Sequence, residues 1–479
     1  MRCPAAPACL AAWIFLVAGS AHAQEAKLLA VESAGIVPVT VERRLDVSGI
    51  TGEISVTGRP TGEIRFRAVA AGEPGRDAPV AVLLDGSTLR LQPAAGAPTE
   101  DRRLTIEAPE GLFLTIATRG ASVVASGLSG GIEARGEGLD FSGSYLSGGA
   151  VFEIDGGKVS LSGSGGEVAA RGRDLTFEGS LLSADVFLGI ARGRARLSGI
   201  TGSVEADLED VALAADGVSS VVTLRARGGT AELKRCNGGA TVDVSGTLLQ
   251  LASSRGSFEV ATDTAIRFEG IDGDLRATVG GGSVVGQGVK GAVTIEATAG
   301  IPIRLEGVAG PVSVTGTGLT VEMKNVGGEI SADLMDSSVS VEKAGAPVTI
   351  ANDGGEVGVE GATSGVVVRS RGGSVRLGGV AGPVEVAADG PTVEVAWTAA
   401  PGEKDSRIEN AGGDVTVRFG AGGCRVEAES RRGRIESAIP TIVATEGSGS
   451  AQGTVGGARR PTVYVEAEGD VFLDGPGGA

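Results

Sequence analysis

Histidine is almost absent from this sequence of 479 residues, and cysteine and aromatic residues are scarce. There is one histidine, His22, with four cysteines, and aromatic residues make up 3% of the chain. A Ser-His-Asp triad needs a histidine as its general base, and zinc sites are normally built from clustered histidine and cysteine. If His22 is removed with an N-terminal signal peptide, the remaining chain has no histidine. A Ser-His-Asp triad is then excluded, and a zinc site is disfavoured.

Long hydrophobic runs are also lacking, and the run nearest the N-terminus is short. It reads LAAWIFLVA at residues 10–18, follows Arg2 and precedes the small-residue motif AHA at residues 21–23. This order is typical of a secretory signal peptide, whereas a membrane span needs roughly 20 apolar residues. We predict cleavage after Ala23 and an exported protein, periplasmic, cell-surface or extracellular, without a transmembrane segment.

Basic residues are outnumbered by acidic ones. The chain has 42 lysines and arginines against 59 aspartates and glutamates, which gives a formal net charge of −17. An acidic surface repels nucleic acid and anionic lipid and favours solubility. We therefore expect no nucleic-acid partner.

Glycine, in contrast, is abundant, with 81 residues. Collagen is excluded because no Gly-X-Y period is present, and the 42% hydrophobic content is enough to bury a core. Glycine therefore marks turns between short strands that alternate apolar and polar residues, as in GGDVTVRF at 412–419. No segment of ten or more residues carries a sustained helical stripe, so the predicted fold class is all-β.

The predicted strands recur at a nearly fixed interval. Leu275, Val293, Val312, Ile330 and Val348 each begin a strand after a glycine-rich turn, at steps of 18, 19, 18 and 18 residues. A second series shows steps of 19, 17, 18, 18 and 18 residues and consists of Ile132, Val151, Val168, Val186, Val204 and Val222.

Such a period is the signature of a solenoid, whose turns cannot bury their apolar faces alone and therefore stack. We predict a β-solenoid, that is a single-stranded β-helix, with turns of about 18 residues and irregular capping ends. The alternative, a string of β-sandwich domains, is disfavoured because aromatic core anchors are few.

The predicted organisation has four regions. They are a signal peptide (1–23), an N-terminal β region and cap (24–120), β-solenoid repeats (121–430), and a C-terminal loop with closing strands (431–479). Over residues 45–430 we expect on the order of 21 turns. The irregular ends would protect sheet edges that a solenoid otherwise exposes.

Three stretches resemble a known family. They read LDVSGITGEISVTGRPTGEIRFRAVA at 45–70, LTIEAPEGLFLTIATRGASVVASGLSGGIEARGEGLDFSG at 104–143 and GTVGGARRPTVYVEAEGDVFLDG at 453–475. In content and order they resemble the bacterial putative adhesin family of β-strand repeats, the DUF4097 type. The resemblance spans most of the mature chain and implies a secreted or envelope-located β-solenoid without known catalytic residues.

Motifs associated with catalysis stand in contexts that do not support it. GLSGG at 127–131 matches a nucleophile elbow, but no helix follows and no histidine remains after residue 23. GQGVKG at 286–291 matches a dinucleotide fingerprint without a βαβ unit. Cys236 and Cys424 would lie about ten turns apart, too far to pair. We expect no catalytic, cofactor-binding or metal-binding residues and no cofactor.

One row of side chains is a candidate for ligand contact. Arg192, Arg194 and Arg196 alternate in ARGRARL and would project from one face of a strand. Such a row could grip an acidic glycan or a phosphate. An ordinary charged outer face is the simpler interpretation of the same residues.

Two function classes stay open. The first is a secreted, non-enzymatic adhesin or an envelope binding or structural protein, with a cell-surface glycan or an envelope protein as the partner. The second is a polysaccharide lyase or hydrolase, because right-handed β-helices often host those activities. Sugar subsites usually contain aromatic platforms, and their scarcity here favours the first class.

Overall fold

The computed structural model describes residues 26–39, 44–71, 73, 76–96, 101–399, 401–445, 449–456 and 461–475. The predicted signal peptide and its cleavage position lie outside these ranges. In the described ranges the protein is all-β, without a helix, and forms a β-solenoid of about 17 turns with strands repeating about every 18 residues. This confirms the predicted fold class.

Ten strands form the N-terminal part of the molecule. They are β1 (Lys27–Glu32), β2 (Ala34–Pro38), β3 (Arg44–Ser48), β4 (Gly52–Arg59), β5 (Glu63–Ala70), β6 (Val80–Asp85), β7 (Thr88–Pro93), β8 (Arg102–Pro109), β9 (Phe113–Arg119) and β10 (Ala121–Ser126). Six long strands follow, each bent at a corner of the solenoid. They are β11 (Ile132–Ser144), β12 (Ala150–Ser162), β13 (Val168–Ser180), β14 (Val186–Ile200), β15 (Val204–Val218) and β16 (Val222–Lys234).

The next ten turns carry two short strands each. They are β17 (Ala240–Ser245), β18 (Leu248–Ala252), β19 (Phe258–Thr262), β20 (Ile266–Glu269), β21 (Leu275–Val279), β22 (Val284–Gln287), β23 (Val293–Ala297), β24 (Pro302–Glu306), β25 (Val312–Thr317), β26 (Thr320–Val326), β27 (Ile330–Met335), β28 (Ser338–Ala344), β29 (Val348–Asp353), β30 (Val357–Glu360), β31 (Val366–Arg371), β32 (Val375–Val380), β33 (Val384–Asp389), β34 (Thr392–Trp397), β35 (Ser406–Asn410) and β36 (Asp414–Arg418). The C-terminal strands are β37 (Cys424–Ser430), β38 (Ile435–Ser437), β39 (Ile442–Thr445), β40 (Ser450–Val455), β41 (Thr462–Ala467) and β42 (Val471–Asp474).

Each turn contributes one segment to each of two parallel sheets. The first half of β14 pairs with the first half of β13, and its second half pairs with the second half of β13. We call the sheet that holds the first halves of β11–β16 and the odd-numbered strands β17–β35 the first sheet. The second sheet holds the second halves and the even-numbered strands β18–β36.

Apolar residues at equivalent positions of successive turns face one another and form the core. Ile132, Ala150 and Val168 lie opposite each other on three adjacent strands of the first sheet and are buried. The step is therefore 18 residues at both places, because Ala150 takes the inward position that the sequence pattern assigned to Val151. The side chain of Val151 points outward and is exposed. Alternation along a strand makes a one-residue error of this kind reverse the side-chain direction.

Glycine is concentrated at the bend where the chain leaves the second sheet. We call this bend the second corner. The residues there adopt φ between +49° and +77° and occupy one position in successive turns. They are Gly127, Tyr145, Gly163, Leu181, Gly199, Gly217, Arg235, Ser253, Gly270, Gly288, Gly307, Asn325, Lys343, Gly361 and Gly379. Only glycine adopts this left-handed conformation without a steric cost, which explains glycine at positions such as Gly163 and Gly199.

Strands β3 and β4 form the first turn of the solenoid, and this turn lies between strands that come later in the chain. Strand β3 pairs with both β7 and β9, and β4 pairs with both β8 and β10. Outside β7 and β8 the pairing becomes antiparallel, through β6 and β1 on the first sheet and β5 and β2 on the second. These antiparallel strands form the N-terminal cap, which covers the sheet edges of the parallel stack.

The C-terminal end has the same arrangement in reverse. Strand β41 lies between β35 and β37, and β42 lies between β36 and β38. The antiparallel strands β40 and β39 then extend the first sheet beyond β37. The last two described strands, β41 and β42, are therefore interior strands of the stack and not edge strands. Because both ends use residues for antiparallel strands and connections, the stack has fewer turns than the 21 expected.

Candidate functional site

The three arginines of the predicted ligand-contact row occupy two different places. Arg194 and Arg196 project outward from the second sheet, whereas Arg192 lies at the corner where β14 bends between the sheets, with φ of +58°. Arg192 is held there by Asp174, with 3.0 Å between Nη2 and Oδ2. The structure thus brings Arg194 and Arg196 together and separates Arg192 from them. Their contact with a ligand stays a prediction.

A groove on the second sheet lies beside Arg196 and has a volume of about 420 Å³. It crosses the second halves of β11, β12, β13 and β14. We call it the serine groove, and its lining residues are Ser142, Gly143, Ser144, Ser160, Leu161, Ser162, Glu178, Gly179, Ser180, Arg196 and Ser198. Hydroxyl groups thus dominate its outward-facing side chains.

The serines come together because of the 18-residue repeat. Ser144, Ser162, Ser180 and Ser198 lie opposite one another on four adjacent parallel strands, so one hydroxyl recurs about every 4.8 Å along the solenoid. Sequence reasoning missed this row, although the residues stand at constant spacing in the sequence. Stacking the predicted turns in register would have shown it.

Glycine occupies two positions on the inward side of the groove, where a side chain would not fit. A Cβ atom at Gly143 would lie 2.8 Å from Leu146 Cδ1 and Leu161 Cδ2, and one at Gly179 would lie 2.9 Å from Leu182 Cδ1. The main chain therefore packs against leucine side chains where other strands insert a side chain of their own. The concave floor of the groove coincides with these two glycines.

Charged groups along the groove are only partly neutralised. Lys158 Nζ lies 2.7 Å from Glu178 Oε2, and the Ser160 hydroxyl donates to the same oxygen at 3.2 Å. The hydrogen bond from Lys158 holds the pKa of Glu178 below its ordinary value, and Ser160 and the charge of Arg196 act in the same direction. Arg194 and Arg196 form no ion pair with any residue in the described ranges.

Two large side chains stand at the rim of the groove. Tyr145 follows Ser144 and Leu181 follows Ser180, and both occupy the second corner with positive φ. They are 76% and 68% exposed, in a column whose neighbouring members Gly127, Gly163 and Gly199 have no side chain. Exposed aromatic and aliphatic groups at a concave polar surface are typical of binding sites.

A second cavity, of about 400 Å³, lies at the C-terminal end of the first sheet, beside the hairpin of β39 and β40. Tyr464, 42% exposed, lies in it between Arg407 and Glu427 of the adjacent strands. Glu427 pairs with Arg425 at 2.7 Å, and Arg407 pairs with Glu409. These ion pairs neutralise much of the charge around the tyrosine.

Metal-ligating residues do not gather into a site in the described ranges: no group of three or more histidine, cysteine, aspartate or glutamate side chains is placed to hold a metal ion. Cys236 and Cys424 are free, as predicted, and both are buried. Burial raises the pKa of both thiols to about 11. Neither thiol is placed or ionised as a reactive cysteine would be.

The thiols of the mature protein should not react with DTNB in the native state near neutral pH. Raising the pKa from 9.0 to about 11 lowers the thiolate fraction about a hundredfold, and burial also blocks access. The absorbance change should correspond to no thiol in buffer and to two after denaturation. Native reaction at the rate of free cysteine would contradict the placement of both residues.

Comparison with known proteins adds little. No family model and no curated protein matches the chain, so the resemblance to the DUF4097-type adhesins is not supported by a family match. One similar solved structure is a putative cell adhesion protein from Clostridium sporogenes, with 9% identity, a TM-score of 0.13, and coverage of 94% of this chain and 100% of that chain. A similarity of this size supports no inference about fold or function.

None of the described segments forms a helix of the length and hydropathy needed to cross a bilayer.

Proposed function

We propose that the protein is an exported, non-enzymatic β-solenoid that binds a polysaccharide at the cell surface or in the envelope. The observation that carries this proposal is the serine groove, in which successive turns present the same hydroxyl at intervals of about 4.8 Å. A polymer of similar units can repeat one weak contact along such a surface. Repeated weak contacts on one molecule add up to tight binding.

The chemistry of the groove favours binding over turnover. A general acid needs a pKa raised toward the working pH, whereas the pKa of Glu178 is lowered by its hydrogen bond with Lys158. Arg194 and Arg196 offer fixed charges and hydrogen-bond donors, which suit recognition.

The proposal is tested with the purified chain from Gln24 onward, applied to immobilised acidic and neutral polysaccharides with and without calcium. Retention on the polymer and release of unsaturated or reducing ends are measured together. We expect retention without product release, whether or not calcium is present. Product release would make the protein a lyase or hydrolase, and failure to bind any of the polymers would refute the proposed function.

A matched pair of variants locates the contact. Ser162→Leu places a bulky apolar group in the middle of the groove, and Ser331→Leu makes the same change at an exposed outward position of the first sheet. Ser162→Leu should weaken retention about tenfold because it blocks the groove, while Ser331→Leu should leave retention unchanged. Equal behaviour of the two variants would place binding elsewhere on the molecule.

A further inference from the structure

We infer that the serine groove takes an acidic polysaccharide whose chain runs along the solenoid axis, and that Tyr145 and Leu181 grip it from one rim. This inference rests on the proposed function and adds the ligand class and the residues that select it.

The rim side chains take no part in the core, and each leans over a glycine of the next turn. The ring of Tyr145 leans over Gly163, where a Cβ atom would lie 3.5 Å from Tyr145 Cε1, and Leu181 Cδ2 lies 3.2 Å from the same position on Gly199. Neither side chain enters the core, and the Tyr145 hydroxyl has no hydrogen-bond partner in the described part of the chain. Both residues adopt a left-handed conformation that most other turns give to glycine. Large side chains kept in such a place indicate a contact outside the molecule.

The spacing of the two side chains suits an extended ligand. Tyr145 and Leu181 are separated by two turns, which is about 10 Å along the axis. Gly163 lies between them and has no side chain of its own, and the ring of Tyr145 leans over it. A tyrosine ring and an aliphatic group at this separation can pack against the apolar faces of two sugar rings that have one further ring between them. Tyr145 follows Ser144 and Leu181 follows Ser180, so the two side chains flank the serine row at alternate turns.

The local charge selects an acidic polymer. Lys158, Arg194 and Arg196 carry three positive charges along the groove, against two negative charges on Asp140 and Glu178, a local excess of one positive charge. The whole chain has a formal charge of −17. Asp216, next in the serine column, is bound by Arg235 at 2.6 Å and does not neutralise the arginines. A positive surface on an acidic rod favours carboxylated ligands at this place.

Most hydroxyl groups of the groove are free for a ligand. Ser160 donates to Glu178, and Ser180 donates to the carbonyl oxygen of Leu161 at 3.3 Å. Ser142, Ser162 and Ser198 are exposed and form no side-chain hydrogen bond within the described residues. Free hydroxyls beside arginine donors can bind both the hydroxyl and the carboxylate groups of a sugar acid.

The experiment compares polygalacturonate with its fully methyl-esterified form, which has the same backbone and no charge. Affinities are measured for the wild type, Arg194→Gln/Arg196→Gln and Tyr145→Gly/Leu181→Gly, with thermal melting of each protein. We expect the wild type to prefer polygalacturonate by at least about tenfold and each double variant to lose about tenfold of its affinity. The Tyr145→Gly/Leu181→Gly variant should melt no lower than the wild type, because glycine relieves the left-handed strain.

The matched control is Ser253→Gly/Asn325→Gly, which makes the same replacement at the same corner outside the groove and changes no charge. It should bind like the wild type. Equal affinity for the charged and esterified polymers would overturn the acidic ligand class, and full affinity in Tyr145→Gly/Leu181→Gly would overturn the rim contact. Both results leave the proposed function standing, whereas failure of the wild type to bind any polysaccharide removes the proposed function itself.

Discussion

Deletion of residues 461–479 is expected to produce a protein that aggregates or loses its native melting transition. The deletion removes β41 and β42, each of which pairs with strands on both sides. Val463, Val465, Val471 and Leu473 are buried there, and burial of each such side chain contributes about 1.5–3 kcal/mol. The combined loss is on the order of 6–12 kcal/mol, comparable with the total stability of an ordinary domain.

The matched control ends at Gly475 and removes only the last four residues. It should be soluble and monomeric by size-exclusion chromatography and should melt like the full mature chain. The longer deletion should elute as an aggregate or show a broadened, lower transition by circular dichroism. A monomeric protein with unchanged melting after the longer deletion would contradict the inserted position of β41 and β42.

Phe177→Ala is expected to destabilise the protein by about 3–5 kcal/mol. Phe177 is fully buried in the second sheet, where Val159 precedes it and Ala195 follows it in the stack. The neighbouring turns cannot move into the space because each is held by two parallel ladders of hydrogen bonds. The cavity left by the ring therefore stays largely open, and most of its free-energy cost is retained.

Urea denaturation followed by circular dichroism measures the change through the midpoint of the transition. The control is Phe187→Ala, which removes an identical ring from an outward-facing, partly exposed position on the first sheet. That variant should lose at most about 1 kcal/mol. Equal losses in the two variants would show that Phe177 and Phe187 do not differ in burial as described.

The repeat unit could be predicted from the sequence because it depends on local pattern. Alternation of apolar and polar residues sets the strands, and glycine spacing sets the corners, so the 18-residue turn is readable without long-range information. The inserted strands β3, β4, β41 and β42 could not be predicted in the same way. Their pairing depends on which sheet edge is free when distant segments meet, and this is not encoded in the alternation of any one strand.

The candidate site was only partly accessible from the sequence. Arg194 and Arg196 do share a face, but Arg192 lies inside an uninterrupted strand and itself holds the positive-φ position of the bend, which glycine holds at Gly156 and Gly228. Tyr145 and Leu181 interrupt the glycines Gly127, Gly163 and Gly199 at 18-residue steps, a signal that becomes visible once the turns are stacked. The contact role of the arginines and the four-region division of the chain stay predictions.

Hydroxyl-radical footprinting of the mature protein with and without saturating polygalacturonate is the most direct test of the binding surface. Tyr145 and Leu181 are highly exposed and lie at the serine groove, while Tyr464 is exposed in the separate C-terminal cavity and serves as the internal reference. We expect polygalacturonate to reduce oxidation of Tyr145 and Leu181 several-fold and to leave Tyr464 unchanged. Unchanged oxidation of Tyr145 and Leu181, or protection confined to Tyr464, would contradict a polysaccharide site in the serine groove.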